Sequence, residues 1–317
     1  MRIKIILDTD PGIDDAFAVL YSLHHPKINV LGLTAVHGNV STEMATNNAL
    51  ILSELSKEKV PVYSGLSKPL IKKQEGFPTF IHGDNGFGNI KLNKPSQNKE
   101  EKSAIDFIIE SIHDNPDEVV LVAVGPLTNL ASAIIKDKSI AKKTKEVILM
   151  GGSWNAGGNI TEFAEANIFN DPDAADIVFS SPWSITMVGL DVTHKVALSK
   201  NKIKELPKLS ARCGSFLGKI SDFYINFYKE TKSMDGCFFH DATALIYLTN
   251  PEYFEYFEGK VYISKNKKNL GQTLLMNKEE SKKSKSFNKR PNTKILFGVD
   301  NKSVISKYLE ILSDYMP

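Results

Sequence analysis

Hydrophobic side chains in this chain come in short, unbroken runs, and most of these runs stop at a polar or glycine-bearing turn. Ile3, Ile5, Ile6 and Leu7 lead to Asp8; residues 30–36 (VLGLTAV) lead to His37, Gly38 and Asn39; residues 119–124 (VVLVAV) lead to Gly125 and Pro126. Residues 147–150 end at Gly151 and Gly152, and residues 185–188 run up to Asp191. Short aliphatic and β-branched runs of this kind predict strands buried on both faces. Between them the spacing becomes helical, as in Ala16, Val19, Leu20 and Leu23, and again in Ala45, Leu50, Ile51 and Leu55 behind a capping Ser41. Residues 99–113, 220–228, 237–248 and 303–315 also read as helical. Strand-then-helix units with polar ends predict a single α/β domain, built on a mostly parallel, doubly wound, Rossmann-like sheet with helices on both faces. In such sheets ligands bind outside the carboxyl ends of the strands. VYI at 261–263 and ILF at 295–297 read as late strands, joined by the lysine-rich run KEESKKSKSFNKR as a solvated hairpin.

Composition changes this picture little. The 39 basic and 37 acidic residues leave a formal charge of +2, which gives no global attraction to nucleic acid or an anionic membrane. No apolar stretch approaches the roughly 20 residues of a membrane helix. The first apolar run is short and interrupted by Lys4, so it reads as a strand and not as a signal peptide. Cys213 and Cys237, outside any CxxC pair, read as structural thiols in a reducing compartment, and the expected location is cytoplasmic.

The candidate chemistry lies at the first strand end, where Asp8, Asp10, Asp14 and Asp15 fall within eight residues. Pro11 and Gly12 break the strand, and Asp14 and Asp15 then open the first helix. A helix N-terminus favours a carboxylate by only about 0.3–1 kcal/mol, which cannot hold four anions together. Either some of these acids stay protonated or a cation sits among them, and oxygen ligands favour Ca²⁺ or Mg²⁺ over zinc. Helix capping with solvated acids accounts for Asp14 better than for Asp10. Asn39 ends the second strand near this cluster. His82 falls in the glycine-rich segment HGDNGFGN, which reads as a mobile surface loop with no P-loop Lys-Ser/Thr. Asn159, Glu165 and Asn167 lie in residues 155–175, too rich in amides and acids for a mere connection. Read as an extended segment, that stretch turns Glu165 and Asn167 the same way. Asp171 before Pro172 reads as a helix cap. The aromatic stretch at 223–228 reads as helical core packing, and His240 and Asp241 open a buried helix.

With DTDPGIDDA at 8–16, HGN at 37–39, GPLTN at 125–129, MGG at 150–152, AEAN at 164–167 and HDA at 240–242, the chain resembles the inosine-uridine preferring nucleoside hydrolases along its whole length. The resemblance implies a Ca²⁺-dependent hydrolase of the N-glycosidic bond of ribonucleosides, acting as a homodimer or homotetramer. It implies calcium on Asp10, Asp15, Asp241 and the Leu127 carbonyl, with Asp10 as general base. Asp14, Asn39 and Asn167 would hold the ribose hydroxyls, and Asn159 and Glu165 would reach toward its 5′ end. His240 is the matching leaving-group acid, His82 a weaker candidate, and residues 76–90 and 223–239 would close over the base. Ala166 departs from an aromatic that family members often carry there, which bears on base preference. Two rival readings remain: a non-catalytic nucleoside- or ribose-binding protein, and a Mg²⁺-dependent phosphatase of the haloacid dehalogenase type with Asp8 as nucleophile and Asp10 as acid/base.

Overall fold

The computed structural model describes residues 2–276 and 289–314. Strands β1 (Ile3–Thr9), β2 (Ile28–Ala35), β4 (Val119–Ala123), β5 (Glu146–Met150) and β6 (Ile185–Val188) arise from the apolar runs above, and the short β3 (Val62–Ser64) lies between β2 and β4 in the chain. Three further pieces of extended chain, β7 (Ala197–Ser199), β8 (Gly236–Phe238) and β9 (Phe254–Gly259), precede β10 (Val261–Ile263), β11 (Thr273–Leu275) and β12 (Thr293–Val299). Among the described residues the main sheet has eight strands, in the order β3-β2-β1-β4-β5-β6-β12-β9. All neighbours are parallel except β9, which runs antiparallel to β12 at the edge.

Alternation along β1 explains the two layers. Ile5 and Leu7 enter one core with Phe17 and Leu20 of the helix Ile13–His24 and Leu245 of the helix His240–Thr249. Ile6 enters the other with Ile108, Leu130 and Val178, from helices on the opposite face. The chain winds outward from β1 to β2 and β3, then returns to the other side of β1 as β4. The order therefore reverses between β1 and β4, and the crevice outside their carboxyl ends is where such a fold places a ligand.

Several local expectations are corrected. Residues 261–263 and 295–297 do not form a hairpin with each other: β10 pairs with β11 in a separate two-stranded sheet, and β12 joins β6. Most of the connecting basic run, residues 278–288, lies outside the described residues. The strand Phe254–Gly259 was not foreseen, because an edge strand half open to water carries no continuous apolar run. Residues 223–232 belong to one long helix, Cys213–Lys232, and not to a loop. The helix predicted from 99 begins at Ala104, capped by Ser103, and the last begins at Asn301. Glu165 and Asn167 do not lie in an extended segment. Glu165 caps the short helix Ala166–Asn170, its carboxylate accepting from the N–H groups of Asn167 and Ile168.

Candidate active site

Asp10 leaves the end of β1 into the crevice, and the backbone on either side is cut back to receive it. A Cβ on Gly38, beyond β2, would lie 1.9 Å from Asp10 Oδ2, and one on Gly125, beyond β4, 2.6 Å from Asp10 Oδ1. Glycine is required at both turns because the carboxylate passes between them. Asp10 Oδ2 accepts the Asn39 N–H at 2.6 Å, whereas Asp10 Oδ1 is buried with no hydrogen-bond partner. Asp15 is the best tied of the acids, accepting from Thr9 Oγ1, the Gly12 and Asp10 N–H groups and Asn39 Nδ2. Asp14 accepts from the Tyr224 hydroxyl at 3.3 Å through Oδ2, while its buried Oδ1 has no hydrogen-bond partner.

Asp14, Asp15 and Asp241 each present a carboxylate oxygen within 4.8 Å of the others. Asp14, which the resemblance assigns to ribose, thus stands in the tight trio, with Asp10 beside it through Asp15. Burial pushes all four carboxyls up, and mutual repulsion adds to this for Asp10, Asp14 and Asp241; Asp14 is raised to about 7. Among the described residues lining the adjoining cavity there is no lysine or arginine to offset the charge. Buried like charges with unpartnered oxygens and no protein cation fit a bound metal ion, and a donor set made only of oxygens fits a hard divalent one.

The cavity, about 470 Å³, opens above this cluster. Asp14, Asn39, His82, Asn159, Glu165, Asn167, His240 and Asp241 all line it. Asp10 and Asp15 are fully buried beneath them. Leu127 is buried too, and its carbonyl accepts the Ala131 N–H as the helix Thr128–Lys136 starts. Asn167 spends its Nδ2 on the Val124 and Met150 carbonyls at the ends of β4 and β5, which leaves its amide oxygen for another partner. Asn159 Oδ1 accepts the Ala166 N–H. Glu165 is more committed than the sequence suggests, since Oε2 also accepts the Gly152 N–H at 2.9 Å.

His82 is not a surface-loop residue. It is buried, its Nδ1 accepts the Ile13 N–H at 3.1 Å, and its ring lies against that of Tyr224. Burial lowers its pKa to about 3, so it is neutral, with its proton on Nε2. His240 is held at both nitrogens, Nδ1 to Thr193 Oγ1 at 2.8 Å and Nε2 to the Tyr228 hydroxyl at 3.2 Å. Burial, with His194 and His82 nearby, lowers its pKa to about 3 as well. Tyr228 in turn meets Tyr224 at 3.2 Å, so a hydrogen-bonded chain runs from His240 through two tyrosines to Asp14. Those tyrosines line the cavity and are not mere core packing. The missed signal was a pair of hydroxyl-bearing aromatics at i and i+4, which puts both on one helix face.

Asp8 does not face this cavity. Its Oδ1 accepts from Thr34 Oγ1 and Asn129 Nδ2, its Oδ2 is buried without a hydrogen-bond partner, and burial away from the cavity counts against a nucleophile of the phosphatase kind.

Comparison with known proteins agrees with this architecture. The model of the family described as inosine-uridine preferring nucleoside hydrolase matches residues 5–306. Uridine nucleosidase 1 of Arabidopsis thaliana is 40% identical over 86% of this chain and 81% of its own length. The inosine-uridine preferring nucleoside hydrolase of Crithidia fasciculata is 37% identical over 78% of this chain and 79% of its own. Among solved structures, a plant nucleoside hydrolase superposes with a TM-score of 0.95 at 34% identity, covering 99% of each chain. A purine-preferring ribonucleoside hydrolase from Gardnerella vaginalis superposes with a TM-score of 0.91 at 34% identity, covering 98% of each. The chain is thus an enzyme, a nucleoside hydrolase, and it belongs to the inosine-uridine preferring nucleoside hydrolase family.

Proposed function

We propose that this nucleoside hydrolase is Ca²⁺-dependent and cleaves the N-glycosidic bond of purine or pyrimidine ribonucleosides, with Asp10 as general base and His240 as the source of the leaving-group proton. The observation that carries this reading is the pair of buried, unpartnered oxygens, Asp10 Oδ1 and Asp14 Oδ1, in a cluster of four acids with no protein cation lining the cavity above it. Asp10, Asp15 and Asp241, with the Leu127 carbonyl, would hold the ion, and Asp14 extends the same cluster toward the ribose. When bound, Ca²⁺ lowers the pKa of a coordinated water and orients it.

The remaining steps belong to side chains of this chain. Asp10, fixed in rotation between Gly38 and Gly125, takes a proton from the attacking water. Asn39 and Asn167, both lining the cavity and both anchored through their Nδ2 groups, offer amide oxygens to ribose hydroxyls. Asn159 and Glu165 also line the cavity and would face the 5′ end of the ribose. The acids and amide oxygens stabilise positive charge as it develops on the sugar, as in O-glycoside hydrolysis. His240 is uncharged at neutral pH and both of its nitrogens are bonded to hydroxyls, so it would hand a proton to the leaving base only as it takes one back from the Tyr228 or Thr193 hydroxyl. Tyr228 and Tyr224 carry the hydrogen-bonded line back toward Asp14.

The test is release of reducing sugar from inosine, adenosine, guanosine, uridine and cytidine and their 2′-deoxy forms, with and without EDTA. Ribose release that chelation abolishes and added Ca²⁺ restores is the expected result. Full activity in EDTA, or recovery with Mg²⁺ but not Ca²⁺, would remove calcium from the reading.

A further inference from the structure

Three buried polar residues outside the cavity join the turns that grip Asp10. His37 follows β2 after one residue, Val36, and leads into Gly38 and Asn39, the residues packed against Asp10 Oδ2. Thr128 follows Gly125, Pro126 and Leu127 at the start of its helix. Asp171 caps the helix Pro172–Ser180. His37 Nε2 lies 3.0 Å from Thr128 Oγ1, and Thr128 Oγ1 donates to Asp171 Oδ2 at 2.7 Å. All three are fully buried, and none lines the cavity.

The direction of this chain is determined. Asp171 accepts from the Ala174 N–H through Oδ1 and from the Leu70 N–H and Thr128 through Oδ2, so the single hydroxyl proton of Thr128 points at Asp171. Thr128 must then accept from His37, whose proton sits on Nε2. His37 Nδ1 is accordingly a bare acceptor, buried with no hydrogen-bond partner. Burial lowers the His37 pKa to about 4, in keeping with a neutral ring. The two glycine turns also meet directly, since a Cβ on Gly38 would lie 2.8 Å from the Pro126 ring.

We infer that His37, Thr128 and Asp171 form a positioning chain that sets the separation of the 37–39 and 125–128 turns, and through it the rotation of the Asp10 carboxylate and the aim of the Leu127 carbonyl. The inference rests on Asp10 acting as base and Leu127 as a ligand. None of the three touches substrate or reacting atoms; they act by holding residues that do. Partners one layer behind metal ligands characteristically contribute about 10- to 100-fold in affinity or activity.

Thr128→Val keeps the shape and removes the hydroxyl, and Thr128→Ser restores it. For Thr128→Val the expected result is a kcat lower by about 10- to 100-fold with KM for the preferred nucleoside within about threefold, and a calorimetric Ca²⁺ dissociation constant on metal-free protein raised by about tenfold. Thr128→Ser should recover most of both. His37→Leu and His37→Gln repeat the comparison from the other end, since glutamine retains an N–H donor; leucine should fall with valine and glutamine should recover in part. A Thr128→Val protein with lower melting temperature but unchanged kcat and Ca²⁺ affinity overturns the inference, because the chain is then only structural. So does failure of both Thr128→Val and His37→Leu to fold. Asp10→Asn, run alongside, separates the two ideas. An active Asp10→Asn sinks the base assignment itself, whereas an inactive one beside an unimpaired Thr128→Val sinks only the positioning chain.

Discussion

Two sets of buried acids, at and behind the cavity, are built in opposite ways. Asp171 and Glu165 have every carboxylate oxygen met by a donor: Asp171 by the Ala174 and Leu70 N–H groups and Thr128, Glu165 by the Asn167, Gly152 and Ile168 N–H groups. Asp10 and Asp14 each leave one buried oxygen bare and face other acids. The first set is what a fold does with a carboxylate it uses as a cap. The second raises the energy of the protein alone and fits a bound cation, for which we propose Ca²⁺. Burial does not separate the sets; donor satisfaction does.

Substitutions can break this comparison, beginning with the largest effect. Asp10→Asn should lower kcat by about a thousandfold while the fold persists, because the amide keeps the shape but cannot take the water's proton. A rate near wild type would place the base elsewhere. His240→Ala should cost about a hundredfold on inosine and far less on a nitrophenyl riboside, whose leaving group needs little protonation. Equal losses on both substrates would end the acid role of His240.

The stability predictions take opposite signs for the two sets. Asp171→Ala strands three donors and should cost about 2–4 kcal/mol in urea unfolding. Asp14→Asn should instead stabilise the metal-free protein by about 1–2 kcal/mol at pH 8, while weakening Ca²⁺ binding. The sign follows from the raised pKa: between 3.8 and about 7 the folded state holds a proton at Asp14 that the unfolded state has lost, so wild-type stability falls as pH rises through that window. Asparagine does not titrate, so its advantage should be absent at pH 4 and complete above pH 7. An advantage that did not change with pH would mean that charge is not the reason.

Much of this was legible in the chain. β1, β2, β4, β5 and β6 show themselves because strands covered on both faces must be apolar throughout, and the residues that end them are polar because the crevice begins there. The place of β12 between β6 and β9 was not legible, because strand order is decided by long-range contacts to which local spacing is blind. Glu165 looked like one face of an extended segment because acids and amides alternate there, whereas the short helix it caps is nucleated by its own carboxylate. Tyr224 and Tyr228 resembled core, since only the geometry shows that their hydroxyls meet each other and His240. His82 looked exposed in its glycine-rich surroundings, yet Gly12 is there to make room for its ring, with a Cβ at 12 falling 2.6 Å from Nδ1.

Glu75 to Pro78, Phe80 and Ile81 line the cavity, as do Asn159, Ile160 and Thr161, and among these Phe77, Phe80 and Ile160 stand open to water. The second of these segments follows Trp154 and Asn155, whose N–H groups are held by Asp191, while Asp10 and Asp15 are held by Thr9, Gly12 and Asn39. On the proposed reading, in which residues 76–90 close over the base, its recognition and the cleavage of the bond would be anchored on separate parts of the scaffold. Sequence drift at the rim would then redirect which nucleoside is admitted without disturbing the carboxylate cluster below, and substrate preference would be the property most open to revision by evolution or by design.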